Sequence, residues 1–297
     1  MSSRFSYKRH LLRVCPPILF LILAAATMNA QTLPTKSSPA PQPSPSPSLE
    51  SRFFKNLLHD ERAIWSSPAR LRGGDLKWIV PLGISTAVLI RTDSDTARAL
   101  RDDPTRLKIS CNVSRFGALY SGGALAAAFY LTGRRLSDAR MRETGVLGAE
   151  ALVNGQIVSL ILKAATQRQR PRADTGRGRF FTRGNSFPSG HAINSWALAT
   201  VIAHEYGDSR LIKITSYTIA TLVSISRFTG RNHFLSDILV GSAMGYGIGR
   251  FVYKAHHDPT LGPYNTDASQ HRRLRLFLYP QYNTREHVYG IALSLSF

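Results

Sequence analysis

A histidine and an aspartate four residues apart, His233 and Asp237, could serve as a nucleophile and its orienting partner. If both lie on one helix, this spacing places them on the same face. The Asp237 carboxylate would then accept the Nδ1 proton of His233 and leave a lone pair on Nε2, which can attack phosphorus. Surface His–Asp pairs are common, so only the motifs around this pair favour a catalytic role for it.

The tetrapeptide from Pro188 to His191 is typical of a helix start that binds an anion. Proline fits the first turn of a helix, and the free N–H groups of a helix N-terminus attract phosphate. Gly190 permits a close approach of the backbone, Ser189 adds a hydroxyl donor, and His191 would lie beside the bound anion. The alternative is a simple turn with a solvent-exposed histidine.

Three cations come from separate segments of the chain. Lys163 is followed by six residues and then Arg170-Pro171, and Arg227 lies six positions before His233. Together they could stabilise the charge that develops on phosphate oxygens in a transition state, without a metal ion. Each cation alone is equally consistent with a solvated basic residue in a loop.

These motifs occur in order between apolar segments, and over about residues 140–257 the sequence resembles the type 2 phosphatidic acid phosphatase / vanadium haloperoxidase superfamily. The resemblance implies a helical bundle and a metal-independent phosphatase that needs no cofactor. It also implies residue roles: His233 as the nucleophile that forms a phosphohistidine, oriented by Asp237; His191 as general acid; and Lys163, Arg170, Ser189, Gly190 and Arg227 as the phosphate-binding residues.

Three functions remain open from the sequence. The first is hydrolysis of phosphomonoesters or lipid (pyro)phosphates, with a phosphorylated small molecule or lipid as the partner. The second is a vanadate-dependent haloperoxidase, because vanadate mimics five-coordinate phosphate and would use the same ligands. The third is a non-enzymatic envelope scaffold with a basic surface. The motifs do not identify the leaving group or the oligomeric state.

The elements that would position these residues are mainly helical. Towards the C-terminus, residues 273–279 and 289–297 alternate apolar and polar side chains with period two, which predicts a β-hairpin. The fold class predicted is therefore mainly α, with a C-terminal β-hairpin. The predicted helices lie near 51–65, 77–91, 115–132, 143–165, 190–206, 210–226 and 233–254.

Four regions follow from the composition along the chain. Residues 1–30 are predicted to be a signal peptide, because basic residues precede a short apolar run and small residues. Residues 31–50 form a Pro/Ser-rich linker, 51–258 the helical phosphatase domain, and 259–297 the hairpin extension. An export signal predicts a periplasmic or envelope location. The export signal and the chain's mean hydropathy of −0.12 together favour a soluble or peripheral protein over an integral membrane enzyme.

The composition excludes several other classes. The 297 residues include 43% hydrophobic residues, enough for a sizeable core. The two cysteines exclude a multi-disulfide scaffold and an iron–sulfur protein. The net charge of +20 suits a phosphorylated substrate or an anionic membrane surface. Nucleic acid is not expected as a partner, because no nucleic-acid-binding motif accompanies the charge.

Overall fold

A computed structural model describes residues 49–100, 102–173, 176–261, 275–283 and 288–296. Within these ranges the chain is mainly helical, as the sequence predicts. The α-helices are α1 (Leu49–Ser66), α2 (Leu76–Ala99), α3 (Pro104–Ser114), α4 (Leu119–Leu136), α5 (Ala139–Thr166), α6 (Gly190–Glu205), α7 (Arg210–Thr229) and α8 (Leu235–His256).

Helix α3 is the one α-helix among the described residues that the sequence analysis did not predict. Its sequence lacks a clear apolar face, so periodicity gives no signal. Its start is nevertheless marked by Asp103-Pro104, since the Asp103 carboxylate caps the backbone N–H of Thr105 at 2.8 Å and proline occupies the first turn. Capping residues would therefore have been the better guide here.

Helix α6 lies at the centre of the helical region and packs against α5, α7 and α8. Its apolar residues form one buried core with α5 and α8, because all three helices carry apolar side chains on the faces that meet. The fully or nearly fully buried members are Leu147, Ala151, Val158, Ile193, Ala197, Val201, Ile248 and Val252.

Three glycines on α8 let it approach α6 closely. Gly241, Gly245 and Gly249 repeat every four residues and therefore lie on one face of the helix. A Cβ atom at each would collide with backbone of α6, at Ser189, Ile193 and Ala197 respectively. This glycine face fixes the register between the two helices, and its first member lies one turn after Asp237.

Helix α2 exposes much of its apolar surface. Trp78 is 74% exposed and Ile84 is 61% exposed. Two segments, Gly73–Ala99 and Ala139–Thr166, are long and apolar enough to cross a membrane. The apolar window of Gly73–Ala99 is not buried, which suits contact with a membrane or a partner, whereas that of Ala139–Thr166 is 61% buried inside the bundle.

The predicted hairpin is present as two antiparallel strands, β1 (Arg275–Asn283) and β2 (Val288–Ser296). Their register pairs Arg275 with Ser296 and Asn283 with Val288. Helix α1 begins at Leu49, two residues inside the predicted linker. The predicted signal peptide lies outside the described residues, and the predicted domain limits stay predictions.

Candidate active site

The eight residues singled out in the sequence are grouped at one end of the α5–α8 bundle. Lys163 lies in the last turn of α5, and Ser189, Gly190 and His191 form the start of α6. Arg227 lies in the last turn of α7, His233 and Asp237 lie at the start of α8, and Arg170 lies in the loop after α5. Antiparallel neighbours thus bring three separate motifs to the same end.

His233 lies in the turn before α8, so it and Asp237 approach each other across the start of the helix and not along one helix face. Helix α8 begins at Leu235, and Asp237 is in its first turn. The Asp237 carboxylate bends back to accept the backbone N–H of Phe234 at 2.9 Å, as a helix-capping residue does. The same oxygen faces His233 Nδ1 at 3.5 Å, which leaves the Nε2 atom of the ring as the one turned away from Asp237.

A buried network that the sequence analysis missed holds Asp237 in place. Its Oδ1 accepts a charge-assisted hydrogen bond from Arg168 Nη1 at 2.7 Å. Its Oδ2 accepts the Ser186 hydroxyl at 2.5 Å. Arg168 in turn reaches Asp93 of α2 at 2.9 Å, and its guanidinium packs between the rings of Phe180 and Phe234. The charged groups of this network are 1% exposed or less.

The start of α6 presents an unpaired hydroxyl. The backbone N–H of Ser189 donates to the carbonyl of Asp237 at 3.0 Å, which ties α6 to α8. Its side-chain Oγ is fully buried and has no hydrogen-bond partner among the described residues. Because a buried hydroxyl is costly without a partner, this atom is suited to bind a ligand oxygen. The adjacent N–H groups of the first turn of α6 would bind the same anion.

Lys163 and Arg170 are held by one loop residue, Asn185. Lys163 Nζ donates to the carbonyls of Asn185 and Pro188, at 3.0 and 2.7 Å. Arg170 Nε donates to Asn185 Oδ1 at 2.8 Å. An ammonium has three donors and a guanidinium five, so both cations keep N–H groups for an anion.

Arg227 is 8% exposed and donates through Nη1 to the hydroxyl of Ser114, at the end of α3. Its Nε has no hydrogen-bond partner among the described residues. The unpredicted helix α3 therefore orients one of the three predicted phosphate-binding cations.

Both histidines are kept neutral by their surroundings. Burial and, to a smaller extent, the positive charges of Arg227 and Lys163 lower the pKa of His191 to about 3. Burial also lowers the pKa of His233 to about 4, although Asp237 acts in the opposite direction. A neutral His233 retains the lone pair that a nucleophile needs. A bound phosphate would add negative charge beside His191 and favour its protonated form.

The loop between α5 and α6 carries two aromatic residues with different roles. Phe180 packs on Arg168 and on Phe187, with ring centroids 5.9 Å apart for the aromatic pair, so it anchors the loop. Phe181 is 77% exposed next to it. The loop therefore presents the apolar ring of Phe181 to the solvent.

Comparisons with known proteins find similar phosphatases. Residues 145–260 match the model of the PAP2 superfamily. A lipid A 1-phosphatase of Porphyromonas gingivalis is 34% identical over 42% of this chain, which spans only 26% of that relative. A decaprenylphosphoryl-5-phosphoribose phosphatase of Mycobacterium tuberculosis is 29% identical over 56% of this chain and 87% of its own length. The crystal structure of a transmembrane PAP2-type phosphatidylglycerolphosphate phosphatase from Bacillus subtilis superposes with a TM-score of 0.43, at 22% identity over 69% of this chain and 94% of that one.

Proposed function

Because residues 145–260 match the model of the PAP2 superfamily, we propose that this chain is a metal-independent phosphatase that hydrolyses lipid phosphates at a membrane surface. One observation supports the proposal most. At one end of the bundle a neutral His233, whose Nδ1 faces Asp237, lies together with three cations and the unpaired Ser189 hydroxyl. A phosphate group needs these components for binding and for attack.

The proposed reaction has two steps. The Nε2 atom of His233 attacks phosphorus in line, and the bond to the leaving oxygen breaks as His191 gives that oxygen a proton. Asp237 stabilises the positive charge that develops on the His233 ring. Water then attacks the phosphohistidine with His191 as base, which releases phosphate and restores neutral His233. Lys163, Arg170 and Arg227 stabilise the equatorial oxygens in both steps.

A lipid is supported as the substrate class by three observations. Helix α2 exposes apolar side chains, and two segments are long and apolar enough to cross a membrane. Phe181 places an exposed ring in the loop beside the site. The relatives from Porphyromonas gingivalis and Mycobacterium tuberculosis carry names of phosphatases with lipid substrates.

The test is phosphate release by the full chain in detergent micelles with EDTA present. Phosphatidic acid and a water-soluble aryl phosphate would be compared at equal concentration. We expect release from the lipid, a loss of at least about 1,000-fold in His233→Gln, and little change in His204→Gln, whose imidazole contacts Thr200 in α6 instead. A phosphorylated protein trapped by rapid quenching should be stable in base, labile in acid, and absent from His233→Gln.

Two results would contradict the proposal. Equal activity of His233→Gln would exclude the phosphohistidine route. Well-folded protein that releases no phosphate from either compound, but brominates an acceptor after loading with vanadate, would identify the haloperoxidase instead.

A further inference from the structure

A second cluster of ionisable groups lies at the opposite end of the bundle from the candidate active site. It consists of Glu143 in the first turns of α5, Glu205 at the end of α6, and His257 just after α8. Glu143 precedes Lys163 by 20 residues on the same helix, which corresponds to about 30 Å. The cluster therefore does not contact the phosphate-binding residues.

The donor atoms of the cluster point at one another and lack hydrogen-bond donors. His257 Nδ1 lies 3.3 Å from Glu143 Oε2 and 3.6 Å from Glu205 Oε1. Glu143 is fully buried and Glu205 is 1% exposed. None of these three atoms, nor Glu205 Oε2, has a hydrogen-bond partner among the described residues. Three unpaired oxygens of two buried carboxylates are strongly unfavourable unless a cation or a proton joins them.

The surrounding contacts hold these atoms in position. Glu143 Oε1 accepts the backbone N–H of Asp258 at 2.6 Å, which leaves Oε2 directed at the cluster. The His257 ring stacks on Tyr253 with centroids 4.5 Å apart. Arg140, the nearby cation, donates to the backbone carbonyl of Glu205 and lies 3.5 Å from Asp208, so its charge is already paired.

A neighbouring cluster shows the contrasting case. Asp60 accepts hydrogen bonds from His256 at 2.8 Å and from Asn154 at 2.9 Å, and Glu150 accepts one from Asn56. There, side-chain donors bind both oxygens of Asp60 and one oxygen of Glu150, whose Oε2 has no partner among the described residues. No side chain of the described residues donates a hydrogen bond to Glu143 Oε2 or to either oxygen of Glu205.

We propose that Glu143, Glu205 and His257 bind a divalent zinc ion that joins α5, α6 and the end of α8. Zinc accepts carboxylate oxygens and imidazole nitrogens as ligands, and three protein ligands leave the fourth position to water. Ligands about 2.1 Å from a tetrahedral zinc ion lie roughly 3.4 Å apart, which agrees with the separations from His257. The three donor atoms all lie within 4.8 Å of one another. The ion stabilises the helical bundle and takes no part in phosphate release.

The test is the zinc content of the full chain, purified with a tag that contains no histidine. The protein would be stripped with a chelator, incubated with zinc chloride, separated from excess metal by gel filtration and measured by mass spectrometry of the metal. We expect about one zinc per chain in the unmodified protein, and roughly one tenth of that in Glu205→Gln and in His257→Asn. His204→Gln and the active-site variant His233→Gln should keep the full content.

Thermal unfolding gives a second readout. An excess of zinc of about 100-fold over its Kd should raise the Tm of the unmodified protein by roughly 5 °C and leave that of Glu205→Gln unchanged. If Glu205→Gln does not fold, His257→Asn still decides the result, because His257 is partly exposed.

Three outcomes would overturn the proposal. Absence of zinc from the unmodified protein after gel filtration would show that the two carboxyl groups share a proton instead. Full zinc content in both variants would place the ion elsewhere. Loss of zinc in His256→Asn alone would assign it to the neighbouring Asp60 cluster. None of these outcomes depends on phosphatase activity.

Discussion

Arg168 Nη1 lies 2.7 Å from Asp237 Oδ1, and both side chains are buried. This ion pair joins the loop after α5 to the carboxylate behind His233. The other half of the guanidinium binds Asp93 of α2, so the orientation of Asp237 depends on a helix that contributes no predicted site residue. Arg168 is therefore a positioning residue for the candidate nucleophile.

Replacement of Arg168 by Gln should damage both stability and turnover. It leaves Asp93 and Asp237 buried without their cation, which typically costs about 3–5 kcal/mol. We expect a lower Tm and a fall in kcat of at least about 10-fold in the protein that remains folded, with a smaller change in KM. Arg177→Gln in the same loop is the control, because Arg177 is exposed. Unchanged kcat in Arg168→Gln would show that Asp237 needs no support from the loop.

The close approach of α8 to α6 gives a matched pair of glycine substitutions. A Cβ atom at position 241 would lie 2.7 Å from the carbonyl oxygen of Ser189, whereas one at position 247 meets nothing within 4 Å. Gly241→Ala should therefore displace the start of α6, lower the Tm and reduce turnover. Gly247→Ala should leave turnover unchanged and raise stability by about 0.5–1 kcal/mol. Circular dichroism melts and phosphate release measure both, and equal behaviour of the two variants would contradict the proposed packing constraint.

The unpaired hydroxyl of Ser189 predicts a variant that is stable but binds phosphate poorly. Ser189→Ala removes no hydrogen bond from the described structure, so the Tm should change little. A hydrogen bond to a charged ligand contributes about 1.5–3 kcal/mol, which corresponds to roughly 10- to 100-fold weaker inhibition by inorganic phosphate. Ser195→Ala, in α6, is the control, and inorganic phosphate should inhibit it as strongly as it inhibits the unmodified protein. If phosphate inhibits Ser189→Ala as strongly as the unmodified protein, the hydroxyl does not contact the anion.

The sequence predicts the fold class and the grouping of the motifs because both depend on local signals. Apolar periodicity marks the long helices, and the turn at Pro188–His191 marks the start of α6. Motifs at the ends of neighbouring antiparallel helices must then meet. Their catalytic roles stay predictions, because the geometry supports them but no measurement tests them.

The support behind Asp237 could not be predicted because its parts are distant in the sequence. Asp93 and Arg168 are 75 residues apart, and neither lies at a motif position. Ser186 looks like an ordinary loop residue, and only the backbone hydrogen bond from its N–H to the Arg168 carbonyl brings it under Asp237. The position of His233 outside α8 was missed for a different reason, since a spacing of four suits both a helix face and a capping turn.

His191 and His233 make stability depend on pH in a defined direction. In the folded protein the pKa of His233 is about 4 and that of His191 about 3, whereas an unfolded histidine has a pKa of about 6.5. Between these values the unfolded chain binds more protons than the native one. The free energy of unfolding should therefore fall as the pH decreases from about 6.5 towards 4.

His233→Gln removes one of the two protons that the unfolded chain binds and the native protein does not. In the window from about pH 4.5 to 6, the slope of the unfolding free energy against pH should decrease by about 1.4 kcal/mol per pH unit. Denaturant unfolding in detergent at several pH values measures the slope, and His59→Gln, which removes a largely exposed imidazole, is the control. An unchanged slope in His233→Gln would mean that His233 binds protons in the native protein as it does in the unfolded chain. Burial would then not be what keeps its ring neutral below about pH 6.5.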